Sequence, residues 1–339
     1  MTTVATTATS SLVDIAHDLV GSGRGILAAD ESIGTMSTRL EKAGVEPTET
    51  NRRDYRELLV TTADLREGVS GVILCDETLR QRLSDGRIFP HALDELGLLP
   101  GIKVDTGARP LAGSAGETVT EGLDGLDARL AEYAELGARF AKWRAVITIG
   151  DRTPSRWALW AGAHSLARYA RSCQDAGIVP IVEPEVLMDG DHTIWRCAPV
   201  TAAALRTLVD ELTVACVDPA AMVLKPNMVV AGSTCPQQAS PRETATATVE
   251  VLGAALPDDL AGVAFLSGGQ DPDVATANLA ALQEVPAPWP LTFSFGRALV
   301  SPALQAWRGD PRRVVDGQAA LARLVGRNAA VLRTPSRRR

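Results

Sequence analysis

The chain has 339 residues, of which 45% are hydrophobic and 22% charged, and this composition excludes a disordered or collagen-like protein. The net charge of −7 argues against a nucleic-acid partner. No apolar run reaches the roughly 18 residues that span a bilayer, and the first residues lack the features of a signal peptide, so we expect a cytoplasmic protein with no membrane partner.

A helix over residues 10–23 is expected before the first strand. Short, mostly apolar runs bounded by Gly, Pro or Asp then recur along the chain. Runs of this kind are typical of parallel strands that are buried on both faces. They predict eight strands, over residues 25–30, 71–78, 101–107, 140–147, 178–186, 221–228, 262–269 and 290–299.

Segments with a helical period lie between the strands, over residues 124–137, 154–177, 199–216, 241–256 and 272–283, and a closing helix is expected after residue 314. Eight strand–helix units favour an α/β fold with one domain over residues 1–339, a closed (β/α)₈ TIM barrel with an added N-terminal helix and a C-terminal closing helix. A polar N-terminal arm at about 1–10 and a basic tail at about 334–339 are expected to flank it.

The basic residues divide unevenly, because 30 are arginines and only 4 are lysines. Lys103, Lys142 and Lys225 lie in predicted strands, near the ends that carry the active site of a barrel, whereas Lys42 is typical of a helix surface. Unlike arginine, a desolvated lysine can lose its proton and act as a nucleophile. The three strand lysines are therefore candidate catalytic groups.

Charged and polar partners accompany these lysines at a spacing of two, which places side chains on one face of a strand. With Asp30, these pairs are expected to converge on the mouth of the barrel. Salt bridges that only fill a barrel layer are the alternative, but such layers are usually aliphatic. We favour a reactive-lysine site, in which apolar neighbours and a second lysine disfavour the charged form of Lys225. The pairs are Lys103 with Asp105, Lys142 with Arg144, Glu183 with Glu185, and Lys225 with Asn227.

Glycine-bearing turns follow the seventh and eighth predicted strands, where barrels commonly bind phosphate through backbone N–H groups. A single glycine after a strand often marks only a turn. Glycine-bearing turns after two neighbouring strands, one of them with an arginine, favour a phosphate site. The residues are Ser267, Gly268, Gly269, Ser294, Gly296 and Arg297.

Other chemistries have little support in the sequence. The five cysteines are widely spaced, form no C-x-x-C pair and are expected to be reduced, mostly packed thiols. The four histidines form no H-x-H or H-x-x-x-H pair, and no G-x-S-x-G motif is present. We therefore expect no metal and no other cofactor.

Long motifs along residues 12–332 resemble those of one family, the class I, Schiff-base type of fructose-1,6-bisphosphate aldolase. Matches of this length and order are highly specific. The resemblance implies reversible cleavage of fructose 1,6-bisphosphate to dihydroxyacetone phosphate and glyceraldehyde 3-phosphate, in glycolysis and gluconeogenesis, without a metal. The motifs are GILAADES, NRRDYRELL, GVILCDETL, GIKVDTG, LAGSAGETVTEGLDGL, AKWR, ARYARSCQDAGIVPIVEPEVLMDGDH, VLKPNM, FLSGGQ and TFSFGRAL.

The resemblance also implies a role for each matching residue of the catalytic set. Lys225 matches the lysine that forms the Schiff base with the C2 carbonyl of the ketose. Glu183 matches the general acid/base that moves protons during carbinolamine formation and dehydration, and Glu185 matches its partner. Asp30 matches the carboxylate that deprotonates the C4 hydroxyl. The cations implied around it are Lys142 and Arg144.

A second group of matching residues is implied to contact the phosphosugar substrate, and the family's usual homotetramer is the expected oligomer. Within this group Thr35 stands where a serine is common, and the neighbouring Phe295 stands where a tyrosine is common. The group comprises Lys103, Arg39, Ser32, Thr35, Ser267, Gly268, Gly269, Ser294, Gly296 and Arg297.

The best-known animal members carry a C-terminal tyrosine that helps to exchange the proton at the enamine carbon, whereas the last tyrosine here is Tyr169. We expect another group to perform that step, or a different rate-limiting step. A Schiff-base aldolase for another phosphosugar and a catalytically silent sugar-phosphate scaffold are the alternatives. Preference between fructose 1,6-bisphosphate and fructose 1-phosphate stays open.

Overall fold

The computed structural model describes residues 11–333, so the expected N-terminal arm and the tail with Arg337, Arg338 and Arg339 lie outside the described residues. The described part of the chain contains ten strands: β1 (Gly25–Ala29), β2 (Val69–Leu74), β3 (Leu99–Lys103), β4 (Gly107–Pro110), β5 (Thr118–Glu121), β6 (Phe140–Ile147), β7 (Val179–Val186), β8 (Val223–Leu224), β9 (Gly262–Phe265) and β10 (Leu291–Phe295).

The helices surround these strands, and none in residues 11–333 is both long and apolar enough to cross a bilayer. They are α1 (Leu12–Val20), α2 (Ile33–Lys42), α3 (Glu49–Val60), α4 (Asp76–Arg80), α5 (Phe89–Glu95), α6 (Leu126–Glu135), α7 (Arg156–Asp175), α8 (Ile194–Val214), α9 (Pro241–Gly253), α10 (Pro272–Gln283), α11 (Arg297–Trp307) and α12 (Val314–Arg333).

Eight of the strands are parallel and close into a barrel in the order β1, β10, β9, β8, β7, β6, β3, β2. The predicted TIM barrel with added helices at both ends is therefore confirmed. Most of the predicted strands are longer than the observed ones, and β8 differs most. It ends at Leu224 because Pro226 has no N–H with which to continue the ladder. Beyond the strand, the N–H of Lys225 donates to the carbonyl of Val182 at 2.8 Å, and the carbonyl of Pro226 accepts the N–H of Leu266 at 3.1 Å.

Two features differ from the sequence-based expectation. An antiparallel hairpin, β4 with β5, lies between β3 and β6, where no hairpin was predicted. Helix α8 begins at Ile194, with Pro199 inside it rather than at its start. A proline removes one helical hydrogen bond, here the bond to the carbonyl of Trp195 in the exposed first turn, where water can replace it.

The amino end of the barrel is filled with apolar side chains and covered by α1. Leu19 and Val20 of α1 pack in one buried cluster with Ile73, Phe140 and other strand residues. A separate and larger buried cluster lies between the strands and the outer helices. Both apolar clusters leave the opposite, carboxyl end of the barrel for polar side chains.

In the apolar cluster at the amino end of the barrel, aromatic rings leave room only for glycine on the neighbouring strand. A Cβ built on Gly101 would lie 2.2 Å from a ring carbon of Phe140. We expect Gly101→Ala to lower the free energy of unfolding by about 3 kcal/mol, because a packed core accommodates no extra methyl group. Gly326 in the exposed part of α12 has no neighbour within 4 Å, so Gly326→Ala should raise that free energy by about 0.5–1 kcal/mol. Urea unfolding of both variants measures the contrast, and equal values would contradict the packing described.

Candidate active site

A cavity of about 620 Å³ opens at the carboxyl ends of the barrel strands. It collects the residues that the sequence indicated from seven separate segments, with two exceptions, Gly269 and Asn227. The expected residues that line it are Asp30, Ser32, Thr35, Arg39, Lys103, Asp105, Lys142, Arg144, Glu183, Glu185, Lys225, Ser267, Gly268, Ser294, Gly296 and Arg297.

The parallel register explains how the central side chains meet. Side chains two apart in a strand share a face, so Lys142 and Arg144 of β6 both point into the cavity, as do Glu183 and Glu185 of β7. Arg144 is directly opposite Glu183 in the β6–β7 pairing. Lys225 follows the last residue of β8 and therefore lies at the same level.

Four of these groups form a chain of alternating charge, which we call the charge chain: Asp30, Lys142, Glu183 and Lys225. The Nζ of Lys142 lies 2.7 Å from Oδ2 of Asp30 and 3.2 Å from Oε2 of Glu183. The Nζ of Lys225 lies 3.2 Å from the other Glu183 oxygen, Oε1. Glu183 therefore contacts both lysines with one carboxylate.

Pairing in the charge chain keeps its first three members ionised. Burial would raise the pKa of Asp30, but the charges of Lys142 and Lys225 outweigh it and hold that pKa well below its usual range. The pKa of Glu183 is lowered in the same way, against the effect of burial. Burial would lower the pKa of Lys142, but the carboxylates of Asp30 and Glu183 raise it well above its usual range.

The lysines differ in their partners, which decides which of them could supply a free amine. Lys142 has two carboxylates and stays protonated. Lys103 donates to the Asp105 carbonyl at 2.7 Å and lies 2.6 Å from its carboxylate. Among the described residues Lys225 is paired with a single carboxylate, that of Glu183. Lys225 is also nearly inaccessible, with 3% of its surface exposed, so its amine reacts only with a molecule inside the cavity.

Two regions of the cavity wall present donors suited to phosphate. One is the start of α2, where the Ser32 side chain accepts the N–H of Thr35 and Arg39 lies one turn further on. The other is the start of α11 at Gly296 and Arg297, beside the turn after β9. Helix N-termini carry free N–H groups and a partial positive charge, which favour anions.

The turn after β9 depends on glycine. Gly268 and Gly269 have φ of +58° and +97°, in the left-handed region that favours glycine. Gly269 does not line the cavity, but a Cβ on it would lie 3.1 Å from the Arg297 guanidinium. The hydroxyl of Ser294, which lines the same region, is buried and makes no hydrogen bond. A ligand oxygen in this region would give it a partner.

Some expectations were wrong in position, and some lining residues were missed. Asn227 does not share the cavity with Lys225, because the strand ends before it; its side chain accepts the N–H of Val186 at 3.0 Å. Most of the missed residues belong to the unpredicted hairpin region or follow Asp30 directly, and the motifs containing them gave no separate signal. They are Glu31, Thr106, Gly107, Ala108 and Thr120, and the apolar residues Ala28, Val146 and Leu266 were missed as well.

The comparison with protein families decides the family of the chain: a model described as fructose-bisphosphate aldolase class-I matches residues 11–333. The chain belongs to the class I fructose-bisphosphate aldolase family. Members of this family are lyases that act through a lysine Schiff base. The resemblance read from the sequence motifs is thereby confirmed.

Similar proteins agree with this family. A protein of Xanthomonas campestris pv. campestris named "Probable fructose-bisphosphate aldolase class 1" is 52% identical over 300 residues, 88% of this chain and 90% of that protein. Fructose-bisphosphate aldolase B of Gallus gallus is 47% identical over 326 residues, 95% of this chain and 90% of that protein. The structure of the Plasmodium falciparum aldolase, in complex with TRAP and an inhibitor, has a TM-score of 0.94 at 40% identity, covering 97% of this chain and 95% of that one.

The aldolase charge chain should be sensitive to loss of its shared cation. We expect Lys142→Met to lower the free energy of unfolding by about 3–5 kcal/mol at pH 7, because the buried carboxylate of Asp30 loses its paired cation and that of Glu183 loses one of its two. In this variant the carboxyl pKa values rise, so the loss should shrink as the pH falls toward the ordinary carboxyl pKa of about 4. Exposed Lys42 supplies the control, since Lys42→Met should stay within about 0.5 kcal/mol at both pH values. If the loss of unfolding free energy in Lys142→Met were the same at both pH values, it would contradict the described pairing of Lys142 with the two carboxylates.

Proposed function

We propose that this chain cleaves fructose 1,6-bisphosphate reversibly to dihydroxyacetone phosphate and glyceraldehyde 3-phosphate through an imine on Lys225, without a metal ion. The observation that carries the proposal is the contact of one Glu183 carboxylate with both Lys225 and Lys142. This arrangement supplies a nucleophile, a proton shuttle and a fixed cation within one cavity.

The imine forms in two stages. Lys225 gives a proton to Glu183, whose Oε1 is 3.2 Å away, and the neutral amine attacks the C2 carbonyl of the ketose. The resulting carbinolamine then loses its hydroxyl as water, and Glu183 returns the proton that this departure needs. Arg144, which pairs with Glu185, adds positive charge beside the shuttle. The product of this stage is a protonated imine.

Carbon–carbon cleavage follows from the electron demand of that imine. Asp30 accepts the proton of the C4 hydroxyl, the electron pair of the C3–C4 bond moves to the iminium nitrogen, and glyceraldehyde 3-phosphate leaves. Lys142 lies 2.7 Å from Asp30 and lowers the pKa of this carboxylate against burial, so Asp30 is ionised and able to accept the proton. The proton held by Asp30 is then transferred to C3 of the enamine, which restores the iminium, and addition of water to this iminium releases dihydroxyacetone phosphate from Lys225.

The two phosphate regions support a substrate with a phosphate at each end. One region is the start of α2 with Arg39, and the other joins the start of α11 with Ser267 and Ser294; Lys103 lines the same cavity. A smaller phosphosugar with one phosphate would use only one of them. A silent sugar-phosphate scaffold would need no carboxylate shared between two lysines.

Borohydride reduction tests the nucleophile directly. Incubation with dihydroxyacetone phosphate followed by reduction should add one triose phosphate to Lys225, as mapped by peptide mass. Lys225→Arg should abolish both adduct and turnover while the fold is kept, because arginine retains charge but forms no imine. Lys42→Arg, a change of the exposed lysine on α2, is the matched control and should leave both unchanged. Turnover should also survive EDTA.

An adduct on Lys103 or Lys142 in place of Lys225 would overturn the nucleophile assignment. Loss of turnover in EDTA would overturn the metal-free mechanism. Within residues 11–333 no three His, Cys, Asp or Glu side chains are grouped so that they could hold a metal ion. A rate comparison between fructose 1,6-bisphosphate and fructose 1-phosphate would show whether both phosphate regions contribute.

We also propose a homotetramer in the cytoplasm. The support within the structure is a surface of tryptophans, with Trp157 and Trp160 stacked at 5.4 Å and Trp195 80% exposed. Exposed aromatic side chains are more common in interfaces than on free surfaces. Sedimentation velocity should give four times the chain mass of 35.8 kDa. A mass that stays at one chain up to tens of micromolar would contradict the tetramer.

A further inference from the structure

The motif NRRDYRELL forms α3, and no residue of α3 lines the cavity. It nevertheless carries Arg56, whose side chain is buried with 1% of its surface exposed. A buried guanidinium is costly unless it is paired, so its contacts indicate why it is there. The proposed reaction gives Arg56 no direct part.

The contacts of Arg56 lie on both sides of Asp30. Its Nε donates to the carbonyl of Ala29 at 2.6 Å, and its Nη2 donates to the carbonyl of Glu31 at 3.1 Å. The same Nη2 lies 2.8 Å from the Glu31 carboxylate, which neutralises the buried cation. The guanidinium thus bonds the two carbonyls that flank the residue proposed to accept the C4 proton.

The barrel itself does not hold this segment. Strand β1 ends at Ala29, where pairing with Leu74 of β2 also ends, so Asp30 and Glu31 lie beyond the ladder. Without another constraint the backbone at Asp30 could shift by about an ångström. A displacement of that size at a reacting group can cost about a hundredfold in rate.

We propose that Arg56 is a positioning residue that sets the Asp30 carboxylate for carbon–carbon cleavage, by fixing the carbonyls before and after it. The inference rests on the proposed function, because it assigns Arg56 to the step that Asp30 performs. The inference also predicts that loss of Arg56 leaves imine formation unaffected. Imine formation uses Lys225 and Glu183, and neither contacts Arg56.

Arginine is required at this position by geometry. Its Nε and Nη2 are separate donors in one rigid plane, so one side chain can reach two carbonyls and a carboxylate at once. A lysine keeps the charge but has one terminal nitrogen and no donor at the Nε position. Arg56→Lys therefore preserves the ion pair with Glu31 and loses the contact with at least one carbonyl.

The test compares two rates in purified full-length variants. In Arg56→Lys, kcat for cleavage of fructose 1,6-bisphosphate should fall about 10- to 100-fold, while the rate of borohydride-trapped imine formation with dihydroxyacetone phosphate stays within about twofold of the parent protein. Arg52 lies one turn earlier on α3 and pairs with Glu77 at 2.6 Å, away from the cavity. Arg52→Lys is thus the matched control, and both of its rates should be unchanged.

Three outcomes would overturn the proposal: a kcat of Arg56→Lys equal to that of the parent protein, a parallel loss of imine formation and cleavage in Arg56→Lys, or an equal loss of cleavage in Arg52→Lys. If Arg56→Lys does not fold, Arg56→Gln removes the buried cation while Glu31 keeps its ion pair with Arg39, and the same separation of the two rates is expected. Failure of the parent protein to form any adduct at Lys225 would instead contradict the proposed function, so the two failures are distinct.

Discussion

Charge compensation among the buried side chains of the cavity is the constraint on which the site depends. An isolated charge at such a depth would be neutralised by a shift of its pKa or would destabilise the fold. Alternation of Asp30, Lys142, Glu183 and Lys225 avoids both results, because each charge has an opposite neighbour. Lys225, at one end of the charge chain, is the reactive lysine, because it contacts one carboxylate whereas Lys142 contacts two.

The barrel makes this alternation possible through its register. Parallel strands end at one level, and a period of two along β6 and β7 delivers cations from one strand and carboxylates from the next. The glycines and aromatic rings of the opposite end pack against an apolar cluster. Stability and chemistry therefore come from different ends of the same strands.

The barrel and most of its site residues were predictable, because strand runs, helix periods and long motifs are local patterns. The hairpin with Thr120 was not, since residues 101–107 were expected to form one strand, whereas β3 ends at Lys103 and β4 begins at Gly107. The early end of β8 follows from Pro226. This proline is a sequence signal against placing Lys225 and Asn227 on one face of a continuing strand. The contacts of Arg56 with the carbonyls beside Asp30 depend on tertiary structure, because side chains 26 residues apart in sequence give no periodic signal.

The scarcity of lysine also gives the molecule an uneven chemical surface. Lys103, Lys142 and Lys225 point into the cavity, whereas Lys42 is exposed at the last turn of α2, and the far end of this helix borders the cavity. Reagents that couple to amines, such as dyes or activated resins, would therefore meet one accessible lysine side chain in residues 11–333. Attachment there would orient every immobilised molecule alike and leave the mouth of the barrel open to substrate.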